Sequence, residues 1–331
     1  MMRVEVFRTL QDLGRIEEQW RGILLESAVS TPFQHIEFQR TWWQHFGQGE
    51  LCLLAVHNND VLVGLVSMYV DEDAVLRWVG GEDIADYLDV IASPAEASAV
   101  RRVVFEWLSG VDAPNWIRAH LANIPERSES AGHWQELASD RGWYSESVFQ
   151  DVCPQFILPD CFDLYLDGLE GKQRREIRRK LRRAAAEDAR VVFIDPGEKN
   201  PLLIDKFISL MQASGLEKAE FLTPRMRGAL GDILRATQDA GMLGMCFLEV
   251  EGSLLAAYAY FSMGGVVYLY NSGYNPGMYA SLSPGWVLLG HLIEHVIASG
   301  HTYFDFMRGD EDYKYRFGGE DERVLLLRIS R

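Results

Sequence analysis

LCLLAVHNNDVLVGLVSMYVDEDAVLRWVGG, residues 51–81, and MCFLEVEGSLLAAYAYFSMGGVVYLYNSG, residues 245–273, read as two copies of one pattern. Each is three short apolar runs separated by turn residues. The first turn is HNND in one copy and EGS in the other, and the second is DEDA in one and MGG in the other. Turn residues between short apolar runs are a hairpin signal, so each copy predicts three consecutive antiparallel strands. Cys52 and Cys246 fall at matching places, as do Val56 and Val250.

The likeness continues outward. The first copy is followed by a helix-like AEASAVRRVVFEWLSG and a strand-like NWIRAHL; the second by PGWVLLGHLIEHVIASG and TYFDFM. Helix-like segments also precede each copy, QDLGRIEEQWRGILLES and NPLLIDKFISLMQAS. An internal repeat of this length means two supersecondary units of one kind. The expected fold class is α/β (α+β): two tandem domains, 1–155 and 156–331, each a mixed, mostly antiparallel sheet flanked by helices. The apolar, twice-proline VCPQFILPDC, residues 152–161, suits the crossing strand or linker between them.

At 331 residues and 48% hydrophobic, the chain can bury two cores. A formal net charge of −16 argues against DNA binding and against attraction to an anionic membrane. Residues 172–183, KQRREIRRKLRR, are the exception, with eight basic residues and one acid. A charge run is commonly just a solvated face, but like charges at i, i+4 repel, and their accumulation here favours an anionic partner. Ile177, Leu181 and Ala184 form the apolar stripe of this predicted helix, and Arg174 and Arg178 flank it as anion-binding candidates. Four cysteines without paired spacing read as reduced thiols. With no signal-like start and no apolar run of about 18 residues, a cytoplasmic location without a membrane span is expected.

Three stretches carry candidate chemistry. In GYNPGMYASLSPGWVLLGHLIEHV, residues 273–296, a strand ends and Ser283-Pro284-Gly285 opens an apolar helix. Free N–H groups at such a start attract phosphate. The first half has DVIASPAEASAV there, with no glycine and an added Glu96. In TYFDFMRGDEDYKYRFGG, residues 302–319, Asp305 interrupts an apolar strand and Arg308, Tyr313, Lys314 and Tyr315 follow. An acid, two phenols and cations can supply a base, an acid and an anion clamp; a structural Asp305–Arg308 pair is the plainer reading. In GGEDIADYLDVIAS, residues 80–93, Asp86, Tyr87 and Asp89 alternate with apolar residues; as a strand, Asp86 and Tyr87 face opposite sides. A polar turn before an edge strand is the alternative. His291, Glu294 and His295 match H-x-x-E-H, but no third ligand accompanies them, and no metal site is expected.

KQRREIRRKLRRA, LLAAYAYF, VVYLYNSGYNP, SPGWVLL and YFDFMRGDEDYKYRF together resemble the acetyltransferase-like domain of the CelD/BcsL group of the GNAT superfamily. STPFQHIEFQRTWWQHFG and GGEDIADYLDVIA extend the resemblance through the first half, to roughly residues 30–318. The group is similar to the FemABX aminoacyl transferases, which also pair two GNAT-type halves and carry a basic RRxIRR-like helix. The resemblance implies a bulged central strand and following loop that hold acyl-CoA. Here those are Tyr268, Leu269, Tyr270 and Asn271, then Met278–Gly285 with Ser281, Ser283 and Gly285. The loop reads YASLSPG where the usual pattern is Q/RxxGxG/A. It also implies a Tyr acid after the last strand, Tyr313 or Tyr315.

The expected function is direct acyl transfer from an acyl-CoA-type co-substrate to an amine or hydroxyl of a small-molecule, glycan or peptide-precursor acceptor, with the amine preferred. Asp305 or Asp86 takes the acceptor proton. Tyr87, Asp89, Arg174, Arg178, Ser272, Tyr274, Arg308 and Lys314 contact donor or acceptor, with the acceptor in the cleft between halves. The first half is the degenerate, acceptor-side copy. The rivals are an aminoacyl transferase using charged tRNA, and a GNAT-fold protein that binds without catalysis. A monomer or homodimer fits either.

Overall fold

A computed structural model describes residues 2–331. The chain divides into two compact units, one running to Val152 and completed by Glu322–Arg331, the other Cys153–Asp321.

The first unit contains β1 (Met2–Phe7), α1 (Glu17–Leu25), α2 (Ile36–Phe46), β2 (Glu50–Asn58), β3 (Val61–Val70), β4 (Val75–Trp78), β5 (Ile91–Ala92), α3 (Ala97–Leu108), β6 (Arg118–Pro125) and α4 (Ser130–Ser139). β7 (Tyr144–Ile157) carries the chain into the second unit. There follow α5 (Phe162–Gly168), α6 (Gly171–Ala186), β8 (Arg190–Ile194), α7 (Pro201–Ala213), α8 (Leu216–Phe221), α9 (Pro224–Asp239), β9 (Leu243–Val250), β10 (Ser253–Met263), β11 (Val266–Tyr274), α10 (Pro284–Ala298), β12 (Tyr303–Asp305) and α11 (Asp312–Arg316). The last strand, β13 (Glu320–Ser330), pairs antiparallel with β6 and so closes the first unit rather than the second.

The repeated pattern is a repeated structure. β2, β3 and β4 form an antiparallel meander, and β4 then lies parallel to β6. In the same order, β9, β10 and β11 form a meander, and β11 lies parallel to β12. Cys52 faces Met68 and Cys246 faces Tyr258, so the two cysteines are register counterparts. Asn59 and Asp60, Glu251 and Gly252, and Gly264 and Gly265 all have positive φ. Two adjacent left-handed residues make the turn whose twist matches the flanking strands, which is why these polar and glycine pairs sit there.

Each unit buries its own core. α3 presents Val100, Val104, Phe105 and Leu108 at helical spacing, and the unit also buries Trp20, Phe33, Trp116 and Trp134. In the second unit α10 buries Leu289, Leu292, Ile293 and Val296 against Ile177, Phe304 and Phe306. The predicted stripe Ile177, Leu181 and Ala184 is the face of α6 on this core, where Leu181 reaches within 3.3 Å of the Cβ position of Gly290 on α10.

Residues 80–90 follow the second of the two expectations, a polar turn before a short strand. The alternation read as a strand is a turn and irregular chain, and only Ile91–Ala92 pairs, with β3. Gly80 and Gly81 have positive φ, and the segment is held by the buried Asn123, whose Nδ2 donates to Ala85 O at 2.6 Å and to Glu82 O at 3.2 Å. The alternation was packing, not a pleat. Tyr87 is fully buried, so it is a core residue rather than an acceptor contact. Asp89 is also buried; burial raises its carboxyl above the usual range although Ser128 and Ser130 hydrogen-bond to it. That places it in the core beside the buried Arg101. Asp86 is half-buried in the same turn.

Among the described residues no helix is long and apolar enough to cross a membrane.

Candidate active site

The second unit's meander is irregular at one point. Ala259 faces Asn271 and Phe261 faces Tyr268, so one residue of β10 lies opposite two of β11, Leu269 and Tyr270. This is a bulge in the central strand, which bends it. β12 accompanies β11 only through Val266, Val267 and Tyr268. Past the bulge β11 continues to Tyr274 on β10 alone, and a notch opens between β11 and β12.

Lys218 on α8 reaches β11 just past the bulge. Its Nζ donates to Asn271 Oδ1 at 3.0 Å, Ser272 O at 2.6 Å and Ser272 Oγ at 3.1 Å. Burial lowers its pKa to about 8, with the charges of Glu311 and Glu217 acting in the opposite sense. α8 is brought there by α7, which lies so close to β11 at Gly273 that a Cβ on this glycine would be 2.5 Å from Met211 N.

β11 leads into a loop that ends at Ser283, which has left-handed dihedrals (φ 55°) and does not cap α10 with its side chain. Instead Ser283 Oγ accepts from Lys180 Nζ of α6 at 2.5 Å. The same ammonium lies 5.2 Å from the Trp286 ring centroid, and Arg316 lies 5.9 Å from it. Pro284 has no N–H, and the first helical bond comes from Val287 N to Ser283 O, so the N–H groups of Gly285 and Trp286 lack intrahelical acceptors. A cavity of about 320 Å³ lies at this helix start, lined by Tyr274, Asn275, Pro276, Ala280, Ser283, Pro284, Gly285 and Trp286. Free N–H groups, a lysine and an apolar wall suit a phosphorylated ligand with an apolar tail.

Two phenols lie near this helix start, Tyr258 buried and Tyr313 half-buried. Tyr258 OH donates to Gly285 O at 3.3 Å. Burial raises its pKa well above the usual value, and Tyr313 adds to the shift. Tyr313 is raised too, by burial and then by Glu311, and packs edge-on against Phe306. Both phenols therefore stay protonated at neutral pH.

Several predicted site residues have other work. Asp305 is 2% exposed and accepts from Met307 N–H at 2.7 Å, which fixes a turn where Met307 has φ 63°. Lys314, also 2% exposed, donates to Met307 O, Arg308 O and Gly309 O at 2.8–3.0 Å and pairs with Glu311 at 2.8 Å. Its three N–H groups are spent on loop carbonyls, so it is a staple for residues 307–311 and not the expected phosphate clamp. Tyr315 is 39% exposed and its OH donates to Asp321 Oδ1 at 2.8 Å. Arg174 and Arg178 pair with Asp167 and Asp163 of α5, at 3.0 and 3.1 Å. Such exposed pairs hold weakly. The basic residue that reaches the α10 loop is Lys180. Ser281 is exposed in the turn before α10. His295 of the H-x-x-E-H sequence stacks on Phe193 and pairs with Asp195 at 2.7 Å, tying α10 to the edge strand β8.

Comparison with known proteins agrees with this geometry. Residues 171–315 match the acetyltransferase (GNAT) domain model. No curated protein matches the sequence. Among solved structures, FemX superposes with a TM-score of 0.69 at 11% identity, over 97% of this chain and 96% of its own. The C-terminal domain of a putative lysylphosphatidylglycerol synthetase from Agrobacterium fabrum gives 0.59 at 10% identity, over 96% and 92%. L-PGS from Bacillus licheniformis gives 0.60 at 12% identity, over 95% and 91%. At such identities the likeness is one of fold. Residues 171–315 thus match a GNAT acetyltransferase domain model, in a chain that shares the fold of FemX along almost its whole length.

Proposed function

We propose that the protein transfers an acyl group from an acyl-CoA-type thioester to an amine. The observation that carries this reading is the bulged β11 leading into a helix start whose cavity is flanked by Lys180. The donor's phosphates lie on the Gly285 and Trp286 N–H groups and on Lys180. Its thioester lies along β11 at the bulge, where Lys218, its N–H groups held by Asn271 and Ser272, acts on the carbonyl through its positive charge rather than through a hydrogen bond. A preorganised cation aimed at a developing oxyanion is worth several kcal/mol to the transition state. The amine nitrogen bonds to the carbonyl carbon, the C–S bond breaks, and a protonated phenol, Tyr258 or Tyr313, passes its proton to the thiolate. Glu311, 57% exposed and close enough for its charge to be felt at Lys218, accepts the proton lost by the amine. Asp305 acts on the loop rather than on the substrate.

Calorimetric titration with CoA, acetyl-CoA, a long-chain acyl-CoA and tRNA tests the donor. Saturable binding of a CoA thioester that weakens in Lys180→Met supports this reading, and no binding of any thioester ends it. Aminoacyl-tRNA is the second reading, favoured by the likeness to the FemX fold over 97% of the chain. Binding of tRNA that falls steeply with salt, without CoA binding, selects it.

A further inference from the structure

The first unit has a notch at the place equivalent to the donor notch, and it is furnished differently. β4 pairs with β6 only at Val75–Arg118 and Leu76–Ala119. Beyond that point the strands part around a cavity of about 250 Å³. Its aromatic wall is Trp42, Tyr69 and Trp78. Trp42 and Tyr69 have ring centroids 5.7 Å apart at 44°. The Gly80–Gly81 turn is shaped around this wall: Gly81 has φ 74°, and a Cβ there would lie 2.6 Å from Trp42 Nε1.

The polar side of the cavity is acidic. Glu82 and Asp83 line it and are exposed. Glu82 is oriented by His120 Nε2 at 3.0 Å and by Gln150 Nε2 at 3.2 Å. Arg77 also lines the cavity, but its Nε donates to Asp71 Oδ2 at 2.7 Å, which offsets its charge. Aromatic faces attract cations through their quadrupole, and carboxylates beside them add a charge term. A phosphate or carboxylate ligand would meet two acids here.

We propose that this notch binds a small organic ammonium ion, its head group against Trp42, Tyr69 and Trp78 and its charge facing Glu82 and Asp83. Identifying the bound amine as the acyl acceptor rests on the transfer reading; the binding itself does not.

The test uses the full chain without any donor. Choline is titrated by calorimetry and by tryptophan fluorescence, beside its neutral isostere 3,3-dimethylbutan-1-ol and beside glucose. Choline is expected to saturate and quench fluorescence, with the isostere bound at least about tenfold more weakly. The double variant Glu82→Gln, Asp83→Asn, changed only at exposed side chains, is expected to weaken choline about tenfold with unchanged circular dichroism. Trp42→Phe is expected to lose part of the affinity and part of the quenching. No saturable choline binding overturns the proposal, as does equal binding of the isostere, preference for glucose, or a double variant that binds as well as the parent. Donor titration is a separate measurement, so failure here leaves the transfer reading standing, and the reverse.

Discussion

The two notches start from one plan and differ in a single strand. β4 runs in regular register against β3, Met68 to Trp78, Tyr69 to Arg77 and Val70 to Leu76, and stops. β11 takes an extra residue at Leu269–Tyr270, bends, and runs on to Tyr274. Through the matched cysteines, Trp78 occupies the register of Ser272. Where the second unit has a serine bound by Lys218, the first has an indole. The helix starts differ in the same sense. α10 begins with proline and free N–H groups beside Lys180, whereas α3 begins behind Glu96, a carboxylate where a phosphate would have to sit. Both units keep the meander, and the bulge is confined to the copy that the proposed transfer assigns to the thioester.

Lys218→Met is the severest way to break this contrast. The transfer rate is expected to fall about 10²–10³-fold, the size of losing one preorganised oxyanion donor, with donor affinity nearly kept. Single-turnover kinetics with calorimetry check it; unchanged turnover would assign Lys218 to the fold alone. Gly273→Ala forces a Cβ to 2.5 Å from the backbone nitrogen of Met211, and should cost about 2–4 kcal/mol in denaturant unfolding. Its test partner in the first unit, Gly64→Ala, meets the side-chain methyls of Val100, which can shift, and should cost less.

Lys180→Met should raise the donor KM about tenfold with kcat preserved, because a phosphate contact is made equally in ground and transition states. Arg178→Met, which removes an exposed pair with Asp163, should change KM less than threefold. The pH profile is the finest probe. The reaction needs Lys218 charged, so activity should decline as pH rises through about 8. Its stability contribution moves the other way. The folded pKa lies below the lysine's ordinary value of 10.5, so the unfolded chain binds the proton more tightly, and the cost of burying the charge is relieved between about pH 8 and 10.5. A Lys218→Met profile that keeps the alkaline decline would assign that limb to another group.

Sequence carried the fold far because hairpins are local. The left-handed pairs Asn59–Asp60 and Gly264–Gly265 announce their turns, and the Ile177, Leu181, Ala184 stripe announces the buried face of α6. The helix start at Ser283-Pro284-Gly285 was legible for the same reason. The site's cations were harder. Lys314 looked available in a charged run, yet its neighbours' carbonyls fold onto it. Lys218 sits in an unremarkable LEKAEF, and its proposed role depends on α7 packing on Gly273, which brings α8 to β11. Lys180 was one basic residue among eight, separated from Arg174 and Arg178 only by which side of α6 meets α10. In residues 80–90 a period of two leaves strand and turn both open, because irregular chain can also alternate what it buries.

β13 sets a schedule. The first unit is encoded first, but the strand that pairs with β6 emerges only after the whole second unit has been made. During synthesis β6 waits with an unpaired edge, the kind of exposure that invites wrong pairing. The apolar side chains buried by that strand, Val324, Leu327 and Ile329, arrive last. Ribosome-bound chains ending near residue 160 should therefore show a protease-sensitive first unit that becomes resistant once residues 320–330 are supplied, even as a separate peptide.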